Sequence, residues 1–180
     1  MSEQIGGKEK VSIVLAEYDP RWPEFFQQHA NRIRGALEVV ALRIEHIGST
    51  SVPGLLAKPI IDILLVVANS AEESSYLPAL ERVGYELRVR EPAENEHRML
   101  RTRNRTAHIH VYSVGCKEIE RYLVFRDRLR THADDHALYA QTKCALAAQD
   151  WPEMNAYAVA KTDVIERIIK EGMSSKRSKN

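Results

Sequence analysis

A chain of 180 residues that is 44% hydrophobic, 28% charged and 7% aromatic has the size and make-up of one folded domain, which excludes a disordered or fibrous protein. Its formal net charge of +1 provides no global field for nucleic acid or an anionic membrane, so a preference for phosphate must arise from a local patch. Two cysteines, Cys116 and Cys144, do not make a disulfide framework, and no stretch approaches the roughly 18 apolar residues of a membrane span.

Residues 1–10 are polar, lack an apolar leader core and are expected to form a flexible arm; reduced thiols and the absence of such a core make the cytoplasm the expected compartment. A single domain is expected over residues 11–172, followed by a disordered basic tail over 173–180. Residues 11–15 predict a short strand. Asp19 and Pro20 then open a long amphipathic helix over 20–42, with Phe26, Ala30, Ile33, Leu37 and Val40 at helical spacing. Residues 43–47 read as a strand that runs into the small-residue turn Gly48-Ser49-Thr50-Ser51. The aliphatic run 60–67 reads as a strand buried on both faces, with Asp62 as its single ionisable residue.

Asn69-Ser70 is expected to cap a helix over 71–83, closed by Gly84. A strand over 85–90 follows, and a hairpin around Arg103-Asn104 joins residues 97–102 to 105–113. In its second arm Ala107, Ile109 and Val111 alternate with His108, His110 and Tyr112, so one face is core and the other carries two imidazoles and a phenol. Three helices are expected to end the chain, over 117–131, 134–149 and 152–171. The class is therefore α+β: a mixed sheet flanked by helices, with a helical C-terminal third.

Three groups carry chemistry. The turn from Gly48 to Ser51 places a glycine and three hydroxyls after a strand, where amides and hydroxyls can meet an anion or simply bond to their own backbone. Lys58 and Asp62 follow closely, bringing a cation and a carboxylate to the same sheet edge. Asp62 is either a salt-bridged structural residue or a ligand for a hard divalent cation. His108 and His110, two apart on one strand face, point at a common centre; they can hold a metal with Asp62, position phosphate, act as acid and base, or only cover the sheet. Arg105 lies beside them and suits phosphate, whereas Arg98, Arg101, Arg103, Arg121, Arg126, Arg128 and Arg130 read mostly as a solvated face. Lys143 and Lys161 each follow a tyrosine by four residues, Tyr139 and Tyr157. That spacing fits surface lysines packed on tyrosine, the reading the sequence favours, or lysines reaching inward to phosphate.

Several runs together, Tyr18-Asp19-Pro20-Arg21-Trp22, the segment IEHIGSTSVPGL from Ile44, KPIIDI from Lys58, His108-Ile109-His110-Val111 and RYLVFRD from Arg121, resemble the GrpB family over about residues 11–169. The resemblance implies a compact nucleotidyltransferase-like fold, and some family members are fused to dephospho-coenzyme A kinase. Nucleotidyltransferases of that superfamily place a Gly-Ser turn before a strand with two acids one residue apart and a third acid on a later strand, which together hold two magnesium ions. Here Gly48-Ser49 matches the turn and Asp62 the first acid. Leu64 stands in the second acid's place, and His108 and His110 occupy the later strand. Glu45 is a candidate substitute ligand. The expectation is a protein that binds a nucleoside triphosphate, or a related phosphate-bearing small molecule, with one divalent metal (Mg²⁺ or Mn²⁺), the turn, Lys58, Arg105, Lys143 and Lys161 holding phosphate. Transfer of a nucleotidyl group to an acceptor is one outcome. A non-catalytic nucleotide or coenzyme A-metabolite module and a metal-dependent phosphoester hydrolase are the alternatives. Neither membrane nor nucleic acid is an expected partner.

Overall fold

The structure, a computed structural model, describes residues 3–5, 14–151 and 154–177. Its centre is β3, Ile61–Val67, whose alternate residues divide between two cores. Ile61, Ile63, Leu65 and Val67 pack with Trp22, Ile33 and Leu37 of α1 (Trp22–Leu37) and Leu80 of α2 (Leu77–Arg82). Leu64 and Val66 pack on the opposite face with Ile47, Tyr112 and Leu123. A strand covered on both sides needs apolar residues at every position, so the one carboxylate in the run marks a place where the covering stops.

Among the described residues five more strands complete a mixed sheet: β1 (Glu3–Gln4), β2 (Arg43–Ile47), β4 (Tyr85–Glu91), β5 (His97–Thr102) and β6 (Ala107–Ser113). Their order is β1-β4-β5-β6-β3-β2, with β3 and β6 parallel and every other neighbour antiparallel. Helices α1 and α2 cover one face. The other carries the helical C-terminal third: α3 (Lys117–Thr131), α4 (Ala133–Ala147), α5 (Met154–Ala160) and α6 (Thr162–Arg177). This is the mixed α+β architecture that the element pattern predicts. Among the described residues no helix is long and apolar enough to cross a membrane.

The departures from expectation have local causes. Of the strand expected over 11–15, residues 11–13 lie outside the described residues; Val14 and Leu15 are not in a strand, and Ala16 makes a single antiparallel bridge to Ala57. Within the expected arm, Glu3 and Gln4 pair with Arg90 and Val89 through backbone alone, which side-chain patterning cannot announce. The first helix stops at Leu37 because Glu38 takes a left-handed backbone, φ 49°, and a short 3₁₀ turn, Glu38–Val40, carries the rest. Ser70 does not cap a helix from residue 71. Its buried hydroxyl donates to the Glu96 carbonyl and bonds Ser113, and α2 begins only at Leu77, with Pro78 in its first turn. The last expected helix is two, broken at Lys161, and α6 runs on to Arg177 through most of the expected tail.

Nor are the arginines mainly solvated. Arg98 pairs with Glu73 at 2.6 Å and is 5% exposed, and Arg126 pairs with Glu45 at 2.8 Å. Arg128 bonds Asp135 at 2.5 Å and Glu171 at 2.8 Å, tying α3 to α4 and α6.

Candidate functional site

The parallel pairing of β3 with β6 sets Asp62 beside His108 and Leu64 beside His110. Because side chains alternate, Asp62, His108 and His110 share the face that carries the C-terminal helices. His108 Nδ1 stands 3.4 Å and His110 Nε2 3.8 Å from Asp62 Oδ1. Burial opposes charge on the Asp62 carboxylate, but the two imidazoles outweigh it and hold the group well below the usual carboxylate range.

Gly48 makes room for that carboxylate. Its backbone, φ 67° and ψ −174°, falls in a region open essentially to glycine alone. A Cβ there would lie 2.9 Å from the Asp62 Cβ and closer still to Oδ2. The glycine of the turn therefore serves the approach of Asp62 as much as the turn itself.

The hydroxyls of the turn divide. Thr50 is buried, bonding His46 Nε2 at 3.0 Å and donating to the Ile60 carbonyl, and Ser51 donates to the Gly48 carbonyl at 2.6 Å. Both hold the turn's shape. Ser49 instead faces Lys143, whose ammonium donates to its Oγ at 3.1 Å and to the Leu56 carbonyl.

Lys143 and Lys161 reach inward, against the surface reading that the sequence favours. Lys143, on α4, is 2% exposed and lies 4.9 Å from the centre of the Tyr139 ring. Lys161, at the break between α5 and α6, and Lys58, before β3, both lie over the Tyr157 ring, at 4.5 and 4.6 Å. Burial, with the nearby Lys161 charge adding to it, pushes Lys143 down to about 7 and Lys58 down to about 8. Burial lowers Lys161 too, while Asp62 opposes the shift. Three lysines from three parts of the chain thus gather at the turn: the Asp62 charge acts on Lys58 and Lys161, and the Lys161 charge acts on Lys58 and Lys143.

Of the expected site residues, Glu45 and Arg105 stand apart. Glu45 shares a face with Asp62, but Arg126 and Arg43 engage its carboxylate, and it does not join the group of potential metal donors. His46 turns to the other face, stacked on Phe26 with centroids 4.7 Å apart, and its burial pushes it down to about 4. Arg105 lies exposed in the β5–β6 turn with a left-handed backbone, φ 59°.

The structure adds two residues that the sequence reading did not single out. His97 pairs with Glu91 across β4–β5, and its Nδ1 lies 2.7 Å from Glu91 Oε2. Its Nε2 lies 3.1 Å from His110 Nδ1, with the two rings stacked at 5.3 Å. The hairpin register held the signal: Arg98 opposite Val111 puts His97 opposite Tyr112, one step diagonal to His110.

The donor set suits a divalent ion that accepts nitrogen. One carboxylate oxygen and two imidazole nitrogens lie within 4.8 Å of one another. Ligand bonds of about 2.0–2.2 Å place two donors at most about 4.4 Å apart, so shifts of a few tenths of an ångström would gather all three on one ion. Two imidazoles fit Mn²⁺ or another transition ion better than Mg²⁺, which favours oxygen. A separate cleft of about 690 Å³, lined by Tyr18, His46, Ser51, Arg130 and His136 among others, meets the turn only through Ser51 and contains neither Asp62 nor the lysines.

The family model described as GrpB protein matches residues 12–171. A UPF0157 protein of Halalkalibacterium halodurans is 52% identical over 160 residues, covering 89% of this chain and 82% of the relative. One from Streptomyces coelicolor is 50% identical over 175 residues, covering 97% and 92%. The crystal structure of conserved protein GrpB from Enterococcus faecalis superimposes with a TM-score of 0.79 at 35% identity, covering 91% of this chain and 99% of that one. A match spanning both cores, the turn and both site strands leaves one assignment: this chain belongs to the GrpB family.

Proposed function

We propose that the protein binds a nucleoside triphosphate with one divalent metal ion and transfers a nucleotidyl group from it to an acceptor. The observation that carries this reading is the convergence of Lys58 and Lys161 over Tyr157, within the field of Asp62, with Lys143 bonded to Ser49 of the turn that receives the Asp62 carboxylate. Crowded, half-dry ammonium groups repel one another, and a polyanion relieves that repulsion. A triphosphate supplies both the charge for the lysines and oxygen ligands for an ion. The ion, when bound, would screen phosphate charge and polarise the reacting phosphorus. The chain's own residues bind and orient: Lys143 and Ser49 hold one phosphate, Lys58 and Lys161 the others, and Asp62 with His108 and His110 holds the metal.

The site is built for a single ion. Leu64, fully buried in the apolar cluster with Ile47, Val66 and Tyr112, fills the place next to His110 where a second acid would stand. That observation favours a second reading, a nucleotide-binding module without turnover. Pyrophosphate release by the purified protein with Mn²⁺ and each nucleoside triphosphate separates the two. The transfer reading predicts metal-dependent release that Asp62→Asn abolishes. Metal-dependent binding with no release supports the module, and equal release by Asp62→Asn and the unaltered protein refutes the assignment of Asp62.

A further inference from the structure

We infer that the cleft beside the turn, bounded by Tyr18, Arg130 and His136, is a second binding site whose ligand is a small carboxylic acid with a ring-sized apolar body. This goes beyond the nucleotide reading, because the cleft contains none of the metal donors and none of the three lysines.

Four parts of the chain build the cleft: the segment ahead of α1 with that helix's first turn, the Ser51 end of the 48–51 turn, the end of α3 and the start of α4. Its volume of about 690 Å³ falls in the range of about 300–1,000 Å³ that small-molecule sites occupy. Leu129, Pro23 and Pro53 give it apolar walls, and the Tyr18 ring is held edge-on against Trp22 with centroids 5.2 Å apart. An apolar body therefore meets surfaces already in place. Among the described residues no carboxylate lines the cleft.

Arg130 supplies the charge. Its Nε and Nη2 donate to the Ser51 carbonyl at 2.9 and 2.7 Å, which fixes the guanidinium in advance but spends it on a neutral partner. The carboxylate that pairs with it, Asp127, has Oδ1 3.8 Å from Nη1, and the same oxygen accepts a shorter bond, 2.8 Å, from Arg126. Burial and the Arg126 charge both act against the charge on Arg130, so an anion arriving in the cleft is favoured. Among the described residues Arg130 Nη1, the Tyr18 hydroxyl and the His136 ring make no hydrogen bond, although all three side chains line the cleft. An imidazole has at least one N–H in either tautomer, so three donors stand beside one fixed positive charge. A carboxylate matches that set: it brings one negative charge and oxygens that only accept, whereas a phosphate dianion would leave a charge unmatched.

The test titrates the ¹⁵N-labelled full-length chain, kept free of metal by a chelator, and reads backbone amide shifts. Benzoate is the probe, with benzyl alcohol, inorganic phosphate and phenyl phosphate for comparison. The inference predicts that benzoate moves the amides of Ser51, Thr131 and His136. Benzyl alcohol, which keeps the ring without the charge, and inorganic phosphate, which keeps charge without the ring, should each bind at least about 10-fold more weakly. Arg130→Gln can still donate to the Ser51 carbonyl, so the turn stays anchored, and it should weaken benzoate by about 10- to 100-fold. Tyr18→Phe keeps the ring against Trp22 and should weaken it by about 2- to 10-fold. Unchanged affinity in both variants, benzyl alcohol binding as well as benzoate, or benzoate shifts at Lys143 and Lys161 in place of Ser51 and Thr131 overturns the inference. Tighter binding of phenyl phosphate than of benzoate overturns the carboxylate assignment. Benzoate binding at the cleft of a protein that ignores inorganic tripolyphosphate upholds the cleft and counts against the nucleotide reading instead.

Discussion

The carboxylate of Asp62 occupies the space that a side chain at Gly48 would fill: a Cβ built on Gly48 meets both the Cβ and the carboxyl group of Asp62 at less than van der Waals distance. The turn and the strand are therefore one unit. Gly48→Ala would introduce two faults, a backbone conformation that costs about 1–3 kcal/mol for any other residue and a clash with the Asp62 side chain. The expected outcome is a destabilisation of at least that size in chemical denaturation, with Mn²⁺ affinity falling further than Asp62-independent packing variants of equal stability lose. A Gly48→Ala protein with native stability would show that the turn tolerates what this geometry forbids.

Glu45 tests the boundary of the metal group. Its carboxylate is committed to Arg126 at 2.8 Å, and Arg126 also donates to the His46 carbonyl. Arg126→Met should therefore destabilise the fold by about 1–2 kcal/mol, since it leaves the Glu45 carboxylate with only the more exposed Arg43 and takes a donor from the His46 carbonyl. Glu45→Gln should change Mn²⁺ affinity by less than the about 10-fold expected even for an orienting partner of a ligand. A larger loss would place Glu45 among the ligands.

Lys143 predicts a pH dependence whose sign follows from its burial. Desolvation pushes the ammonium down to about 7 in the folded protein from an ordinary value of 10.5. Between those values the unfolded chain binds the proton and the folded chain does not, so the penalty for burying the charge is fully present below pH 7 and is relieved as pH rises toward 10. Stability measured by denaturation should rise over that window, and Lys143→Met should flatten the rise. The same titration has the opposite effect on ligand: triphosphate affinity should fall as pH climbs above 7 and the ammonium loses its charge. Equal slopes in the variant and the unaltered protein would mean that Lys143 does not titrate there.

Much of this site was legible in the sequence, for identifiable reasons. Asp62 declared itself because a lone carboxylate in the aliphatic strand 61–67 needs a compensating neighbour, and period-two alternation put His108 and His110 on one face. What alternation cannot supply is register. Only the pairing of β3 with β6 sets Asp62 beside His108, and only the hairpin register brings His97 to His110. Lys143 and Lys161 were misjudged for a related reason. A lysine four residues after a tyrosine looks the same on a solvated helix face as on one turned toward a sheet, and the contact of α4 with the turn at Ser49 is tertiary. The arginines expected to be solvated, Arg98, Arg126 and Arg128, are buried or half-buried struts because their carboxylate partners, Glu73, Glu45 and Asp135, come from elsewhere in the fold or from the next helix. Ser70 failed as a helix cap through the same kind of competition, its hydroxyl being drawn to Glu96 and Ser113.

The central claim, that Asp62, His108 and His110 hold one divalent ion, is tested most directly by equilibrium Mn²⁺ binding to the purified protein, read as free Mn²⁺ by electron paramagnetic resonance. Asp62→Asn serves as the comparison, since it preserves the side chain's shape beside Gly48. The account predicts one ion per chain in the unaltered protein and a loss of affinity of about 100-fold or more in Asp62→Asn, with thermal unfolding confirming that the variant is folded. No binding to the unaltered protein, or equal affinity in the two, would contradict it.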